Sequence, residues 1–275
     1  MITDYNSHLG SIFDAEAFAH WENTGTILER IEQRYFEVME NVDRAIVVAF
    51  PQGPHMNNNE PIAHFASKYP NKIAPFFLID PTKPDCADLI DKAVTEWNAK
   101  GFHMAPIYQK FRPDDEAYFP IYEKLEKIGK PLMWFQGSSF EAVDGPLEWA
   151  NPILLDKVAR NFSELRMIVA HFGSPFFREV IAMLRKHKNF YTEMSALSHR
   201  TWALYNALID AKQYSVLDKV LFGSEFPMQL PQQSMDGLAA VAALTEGTNL
   251  PALTQGDIDS LLHRDCFEAL GIKLG

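Results

Sequence analysis

Short apolar runs alternate with longer amphipathic segments from one end of the chain to the other, and no other feature limits its fold so tightly. The runs cover residues 2–6, 45–50, 73–79, 102–107, 131–136, 166–171, 189–194 and 219–223. Between them lie segments long enough for a helical return, which is the pattern of parallel strands with helical crossovers. After Pro84 the apolar residues Leu89, Ile90, Ala93, Val94 and Trp97 recur at helical spacing, with Gly101 as the expected C-terminal cap. Asp114 and Asp115 are placed to cap a helix over 116–128, whose apolar face is Phe119, Tyr122, Leu125 and Ile128. A last amphipathic segment covers 255–270. Eight strands, each followed by a helix, predict a (β/α)8 TIM-type barrel, with an open doubly wound sheet as the runner-up. A length of 275 residues suits one such barrel as a single domain over 1–275.

Composition narrows the partners. With 47% hydrophobic and 22% charged residues the chain reads as an ordinary globular protein. Its formal net charge of -11, spread along the chain, repels nucleic acid and anionic lipid at long range. A small-molecule substrate is the expected partner, with no nucleic acid and no membrane; a homo-oligomer stays open. The two cysteines, Cys86 and Cys266, have no metal-type spacing and read as thiols in a reducing compartment. The start, MITDYNSHLG, lacks a leader pattern, and no apolar stretch reaches the ~18 residues of a membrane span, so the expectation is a cytoplasmic protein.

In a barrel, reactive groups sit where the strands end. Here those ends carry Asn6 and His8, Tyr108 and Gln109, Gln136, His171, Glu193 and, in the stretch KVLFGSEFP, Glu225. Taken singly, each has a bland reading. A lone strand-end histidine is usually a hydrogen-bonded structural residue, Asn6 and Gln136 suit frayed backbone groups, Glu193 suits a salt bridge, and Glu225 suits solvent. Taken together, His8, His171 and Glu225 on strands one, six and eight of one barrel favour a reaction site. His55, His64, His187 and His263 read as surface residues, while His103 lies inside strand four with its direction left to the alternation. Met104, Met133, Met167 and Met194 read as core filling.

The stretches TDYNSHLG, FRPDDEAYFPIYEKLEKIGKPLMWFQGSS, GPLEWANPILLDKVARNFSELRMIVAHFGSP and KVLFGSEFP resemble the amidohydrolase superfamily. The likeness is to the amidohydrolase-related branch, which includes aminocarboxymuconate-semialdehyde decarboxylase, resorcylate-type decarboxylases and pyrone-dicarboxylate lactonase. It runs from Ile2 to about Leu270 and implies a distorted (β/α)8 barrel. The family pattern implies a histidine pair on strand one, a histidine ending strand five, another on strand six and an aspartate ending strand eight. Those positions hold Asn6 and His8, Gln136, His171 and Glu225, so His8 and His171 match and three positions depart.

In the family the first-strand pair, the strand-five histidine and the strand-eight aspartate hold one divalent metal. The resemblance therefore implies His8, Glu225, Asn6 and Gln136 as ligands of any zinc, manganese or magnesium ion. Amides in place of two imidazoles weaken zinc binding, so the metal-free state is the favoured expectation and no cofactor is assigned.

A metal-free mechanism makes His171 the general base, Glu225 its partner or a proton donor, and His8 a donor to a substrate oxygen, with Asn6 and Gln136 as neutral donors. Tyr108 is a candidate substrate contact. Among Arg112, Arg178 and Arg200, which follow strands four, six and seven, Arg200 is the first choice for a carboxylate clamp and Arg112 the second. The insertion 11–24, with Phe13, Phe18 and Trp21, reads as a lid or a subunit contact. The leading function is hydrolysis of a C–O or C–N bond in a small carboxylated carbonyl compound. The alternatives are non-oxidative decarboxylation and a ligand-binding barrel without catalysis.

Overall fold

The eight apolar runs become eight parallel strands: β1 Thr3–Ser7, β2 Arg44–Val48, β3 Ile73–Leu78, β4 Gly101–Met104, β5 Leu132–Trp134, β6 Met167–Val169, β7 Phe190–Glu193 and β8 Val220–Leu221. They pair in sequence order from β1 to β8, and a parallel bridge between Ser7 and Phe226 brings the last edge to the first. The arrangement is a (β/α)8 barrel, seen in a computed structural model that describes residues 1–10, 25–49, 58–139 and 142–275. Phe50, His55 and the insertion 11–24 lie outside the described residues.

Local chemistry explains where the expected boundaries shift. The fourth run ends early, at Met104, because Pro106 lacks the N–H a ladder needs and instead opens a short helix, Pro106–Gln109. Tyr108 and Gln109 therefore stand on that helix and not at a strand end. Gly101 is no cap; it is the first residue of β4, where a Cβ would lie 2.4 Å from the Phe76 ring. The chain reverses after helix Cys86–Thr95 at Asn98, whose φ is 53°. Asp115 caps as expected, accepting the Ala117 N–H at 3.0 Å ahead of a 3-10 turn, Glu116–Tyr118, and the helix Phe119–Lys127.

The last helix is shorter than its pattern. Gln255–His263 begins at a capping box in which Thr254 and Asp257 exchange bonds, and it stops before Arg264. The residues beyond it pass beneath the barrel. Cys266, Phe267, Leu270 and Ile272 pack against the lumen side chains Tyr5, Ile46, Phe76, Met133 and Ile168 and close that end. The other face of the strands, with Val47, Phe77, Phe102 and Trp134, packs on the helices.

Each of β2 to β8 begins with Lys or Arg or has one within two residues before it: Arg44, Lys72, Lys100, Lys130, Arg166, Lys188 and Lys219. The crossover helices return the chain to this end of the barrel, so unpaired carbonyls and the negative ends of helix dipoles collect there. Lys219 shows the pairing directly, its Nζ lying 2.7 Å from the carbonyls of Leu184 and His187 at the end of helix Phe177–Lys186. Arg166 likewise donates to the Gly129 carbonyl at 3.3 Å. Charge on this face serves the fold, which leaves the opposite rim for function.

The seam between β1 and β8 is crossed by backbone bonds from Tyr5 to Phe222, from Glu225 to Asn6 and from His8 to Phe226, and one carboxyl reinforces it. Asp4, wholly buried, accepts the N–H groups of Asn6 (3.1 Å) and Ser224 (3.0 Å) on Oδ1 and meets the Ser224 hydroxyl at 2.5 Å through Oδ2. Ser224 Oγ in turn accepts the Phe226 N–H at 3.0 Å. Burial pushes the Asp4 carboxyl up to about 7; the Ser224 and Asn6 bonds oppose the shift and the charge of Glu193 adds to it. A carboxyl with a higher pKa folded than unfolded favours the native state most at low pH, and that contribution is lost as pH rises through 7. The wild type should therefore lose urea stability between pH 4 and 8, and Asp4→Asn should flatten that decline. Asp4→Ala, which strands the seam donors, should cost about 3 kcal/mol by the same melts.

Candidate active site

A cavity of ≈ 1020 Å³ opens where the strands end. Its buried part is lined by Asn6 and His8 from β1 and the residue after it, His103 from β4, Gln136 past β5, and His171 past β6. Glu225, half-buried, enters from the turn after β8. Tyr108 lines one wall, and the exposed His199, Arg200 and Asp236 form part of the mouth.

The two groups at its centre meet. His171 Nε2 lies 3.3 Å from Glu225 Oε1. Both residues have left-handed backbones, with φ of 55° and 62°, and so does Phe172 at 54°. Non-glycine residues pay for that conformation and hold it only when the surroundings enforce it. His171 is held by its own N–H on Glu193 Oε1 at 2.8 Å, and Glu225 by its N–H on the Asn6 carbonyl at 2.8 Å. Two corner residues, each turned by a bond to another strand, bring imidazole and carboxylate together.

Glu193 organises the far side of the ring. Its carboxylate is fully buried and accepts from the backbone N–H of His171, from Asn6 Nδ2 at 3.0 Å and from the Ser195 N–H at 2.6 Å. His171 Nδ1 lies 2.8 Å from Ser195 Oγ and 3.3 Å from Glu193 Oε1, and the edge of Phe135 packs against the ring at 5.2 Å. With Nδ1 engaged there, Nε2 faces Glu225. Gly223 is required beside this carboxylate, since a Cβ would stand 2.5 Å from Glu193 Oε2.

The two further buried imidazoles, His8 and His103, are neutral. His8 Nδ1 donates to the Val48 carbonyl at 2.8 Å and His103 Nδ1 to the Ala49 carbonyl at 2.9 Å. Burial drives their pKa values down to about 3 and about 4, with neighbouring imidazoles adding to the fall and the carbonyl bonds opposing it.

Of the residues singled out by sequence, His8, His171, Glu225, Asn6, Gln136, Tyr108 and Arg200 line this one cavity. Arg112 does not; its guanidinium is exposed and bound to Asp114 at 2.7 and 3.2 Å, two residues away, which turns it from the mouth. Arg178 is likewise a surface residue, near Asp210 at 3.4 Å. The amides also differ from expectation in role. Both N–H groups of Asn6 are spent on Glu193 and Ser195, and those of Gln136 on the carbonyls of Trp149 (2.5 Å) and Asn151 (3.2 Å), so neither is a spare donor. Glu193 was visible as a strand-end acid but not as the hub, Ser195 carried no signal beyond standing two residues after it, and His103 faces inward by simple alternation.

The donor set does not fit a zinc ion. Among the described residues no three His, Cys, Asp or Glu side chains are grouped to hold a metal. The two amides that stand at ligand positions have their orientation set by protein acceptors.

The amidohydrolase family model matches residues 32–264. The chain belongs to the amidohydrolase family. No curated protein matches it. Solved structures similar to this amidohydrolase chain include an uncharacterized TIM-barrel protein from Bordetella bronchiseptica, with TM-score 0.73 and 19% identity over 98% of this chain and 97% of that one. A 2,6-dihydroxybenzoate decarboxylase complexed with 2,6-dihydroxybenzoate aligns with TM-score 0.70 and 13% identity over 98% and 99%. A probable 2-pyrone-4,6-dicarboxylic acid hydrolase from Acinetobacter baumannii, with citric acid bound, gives TM-score 0.68 and 12% identity over 98% and 99%. At these identities the likeness shows the fold. No helix among the described residues is long and apolar enough to cross a membrane.

Glu193→Gln tests the hub. It sets an amide N–H against backbone donors in a dry site and should lower stability by about 2–4 kcal/mol in urea melts. Glu225→Gln, at a half-buried position facing the cavity, should cost less than 1 kcal/mol by the same measurement.

Proposed function

We propose that this amidohydrolase-family chain is an acid–base enzyme for a small carboxylated compound, with His171 as the group that moves the proton. The observation that carries the reading is the 3.3 Å approach of His171 Nε2 to Glu225 Oε1 over the cavity. Two lone pairs repel at that distance, so a proton belongs between these atoms. Nδ1, turned to Ser195 and Glu193, keeps the ring in place while Nε2 delivers or takes it.

Decarboxylation suits this geometry best. The carbon–carbon bond to the carboxylate breaks, its electron pair accepts the Nε2 proton of His171, and carbon dioxide leaves; Glu225 and solvent then reprotonate the ring. Such a step needs a positioned acid more than it needs an oxyanion hole. The N–H groups first expected to serve as oxyanion donors, those of Asn6, Gln136 and His8, are committed to protein acceptors. Similar structures named for a dihydroxybenzoate decarboxylase and for a pyrone-dicarboxylic acid hydrolase are consistent with a carboxylated substrate. Arg200, with no carboxylate partner among the described residues, supplies a cation at the mouth for a second acid group.

Hydrolysis of a C–O or C–N bond is the second reading, supported by the hydroxyls of Tyr108 and Ser139, which meet at 2.5 Å on the cavity wall and can donate to a developing oxyanion. In that reaction His171 takes a proton from water and returns it to the leaving group.

A panel of aromatic and unsaturated carboxylic acids, lactones and amides, followed by headspace carbon dioxide and by liquid chromatography, separates the two. Carbon dioxide release marks the first reading, and ring opening or acid release without it marks the second. With the substrate found, His171→Asn should reduce turnover by about 10²–10⁴-fold. Turnover retained in that variant removes His171 from the reaction.

A further inference from the structure

The hydrogen bonds behind His171 have a direction. Glu193 receives the backbone N–H of His171 on Oε1 at 2.8 Å and that of Ser195 on Oε2 at 2.6 Å, so both of its oxygens are acceptors. That fixes the amide of Asn6. Its Nδ2 faces Glu193 Oε1 at 3.0 Å, and the second N–H of the same nitrogen then meets Ser195 Oγ at 3.3 Å. A flipped amide would set its oxygen against the carboxylate.

Ser195 Oγ, fully buried, has two partners among the described residues: Asn6 Nδ2 and His171 Nδ1, the latter at 2.8 Å. The amide nitrogen can only donate. The hydroxyl proton therefore has one acceptor, which is Nδ1. A proton on Nδ1 would leave the hydroxyl with no acceptor in a dry site, a fault that moves an equilibrium by about tenfold or more. The flanking carboxylates do not make the choice by distance, because Glu193 Oε1 lies 3.3 Å from Nδ1 and Glu225 Oε1 lies 3.3 Å from Nε2.

We infer that Ser195 is a positioning residue that holds the neutral His171 ring in its Nε2–H tautomer, at the end of a relay from Glu193 through Asn6. The proton then stands on the cavity side of the ring before a substrate arrives, and the ring meets that substrate as a donor. The inference deepens the proposed function and rests on it only in taking Nε2 as the working atom. It favours the decarboxylation reading over one in which the resting Nε2 takes a proton from water.

Long-range proton–nitrogen correlation spectra of protein carrying nitrogen-15 histidine read the tautomer directly, with the His171 ring identified by its absence in His171→Asn. Chelator-treated wild-type protein at about pH 9, well above the ordinary histidine range, should show a pyridine-type Nδ1 and a pyrrole-type Nε2. Ser195→Ala, first shown to melt cooperatively, should shift the ratio by about tenfold or more toward Nδ1–H, because that nitrogen is then left with the buried Glu193 carboxylate. A wild-type ring with its proton on Nδ1, or with both nitrogens protonated at that pH, overturns the assignment without any variant. So does an alanine variant whose tautomer ratio matches the wild type. The spectra need no substrate, so their failure leaves the proton-transfer role of His171 to its own turnover test, and failure of that role leaves the tautomer standing.

Discussion

The Glu193 carboxylate is the constraint on which the site depends. It stands at the end of β7, fully buried, and its two oxygens take a backbone donor from the corner after β6, a backbone donor from its own turn and a side-chain donor from β1. Strands in a barrel are held to their neighbours by ladders, but ladders end where function begins. Past β6 and β8 the chain leaves the sheet in left-handed conformations, and hydrogen bonds to side chains and across the seam replace the ladder. A buried charge without such partners would be costly; supplied with N–H donors it becomes a fixed point from which several elements are measured.

That arrangement explains why the strained corners coincide with the atoms to which the proposed function gives the proton. An imidazole on a regular strand end would stand roughly perpendicular to the strand, toward the lumen or toward the helices. The left-handed turn at His171 swings the ring across β7, where Ser195 and Glu193 receive Nδ1, and the matching turn at Glu225 brings its carboxylate from β8 onto Nε2. Asp4 acts one layer deeper, fastening Asn6 to the Ser224 turn so that β1 and β8 approach as a unit. The conformational cost at each corner is offset by bonds that a relaxed backbone would not make.

How much of this was legible in the chain depends on which force decided each feature. Strand number and order follow from apolar periodicity, and all eight runs overlap a strand of the barrel. Boundaries were displaced where a single residue's chemistry overruled the pattern, as Pro106 did at the end of β4 and the Phe76 ring did at Gly101. The cavity residues His8, His171, Glu225, Asn6 and Gln136 were reachable because strand ends are predictable. Their partners were not: that Asn6 spends its amide on Glu193, or that Arg112 folds back on Asp114, is a matter of rotamer and register that no spacing encodes. His103 needed only the register of β4, which one inward neighbour would have settled.

The departures from the family pattern then read as a matched set and not as separate losses. An aspartate at position 225 would be one methylene shorter and would fall short of His171 Nε2, which Glu225 reaches at 3.3 Å. A histidine at position 6 has no pair of N–H groups on one end to bind Glu193 and Ser195 together, as the amide of Asn6 does. At position 136 an imidazole could not bridge the carbonyls of Trp149 and Asn151 from a single nitrogen. At positions 6 and 136 an amide makes bonds that fix the barrel rim, and at 225 the longer acid reaches the imidazole. The result is a rim held by hydrogen bonds within the protein, on which the proposed function sets His171 and Glu225 to move the proton.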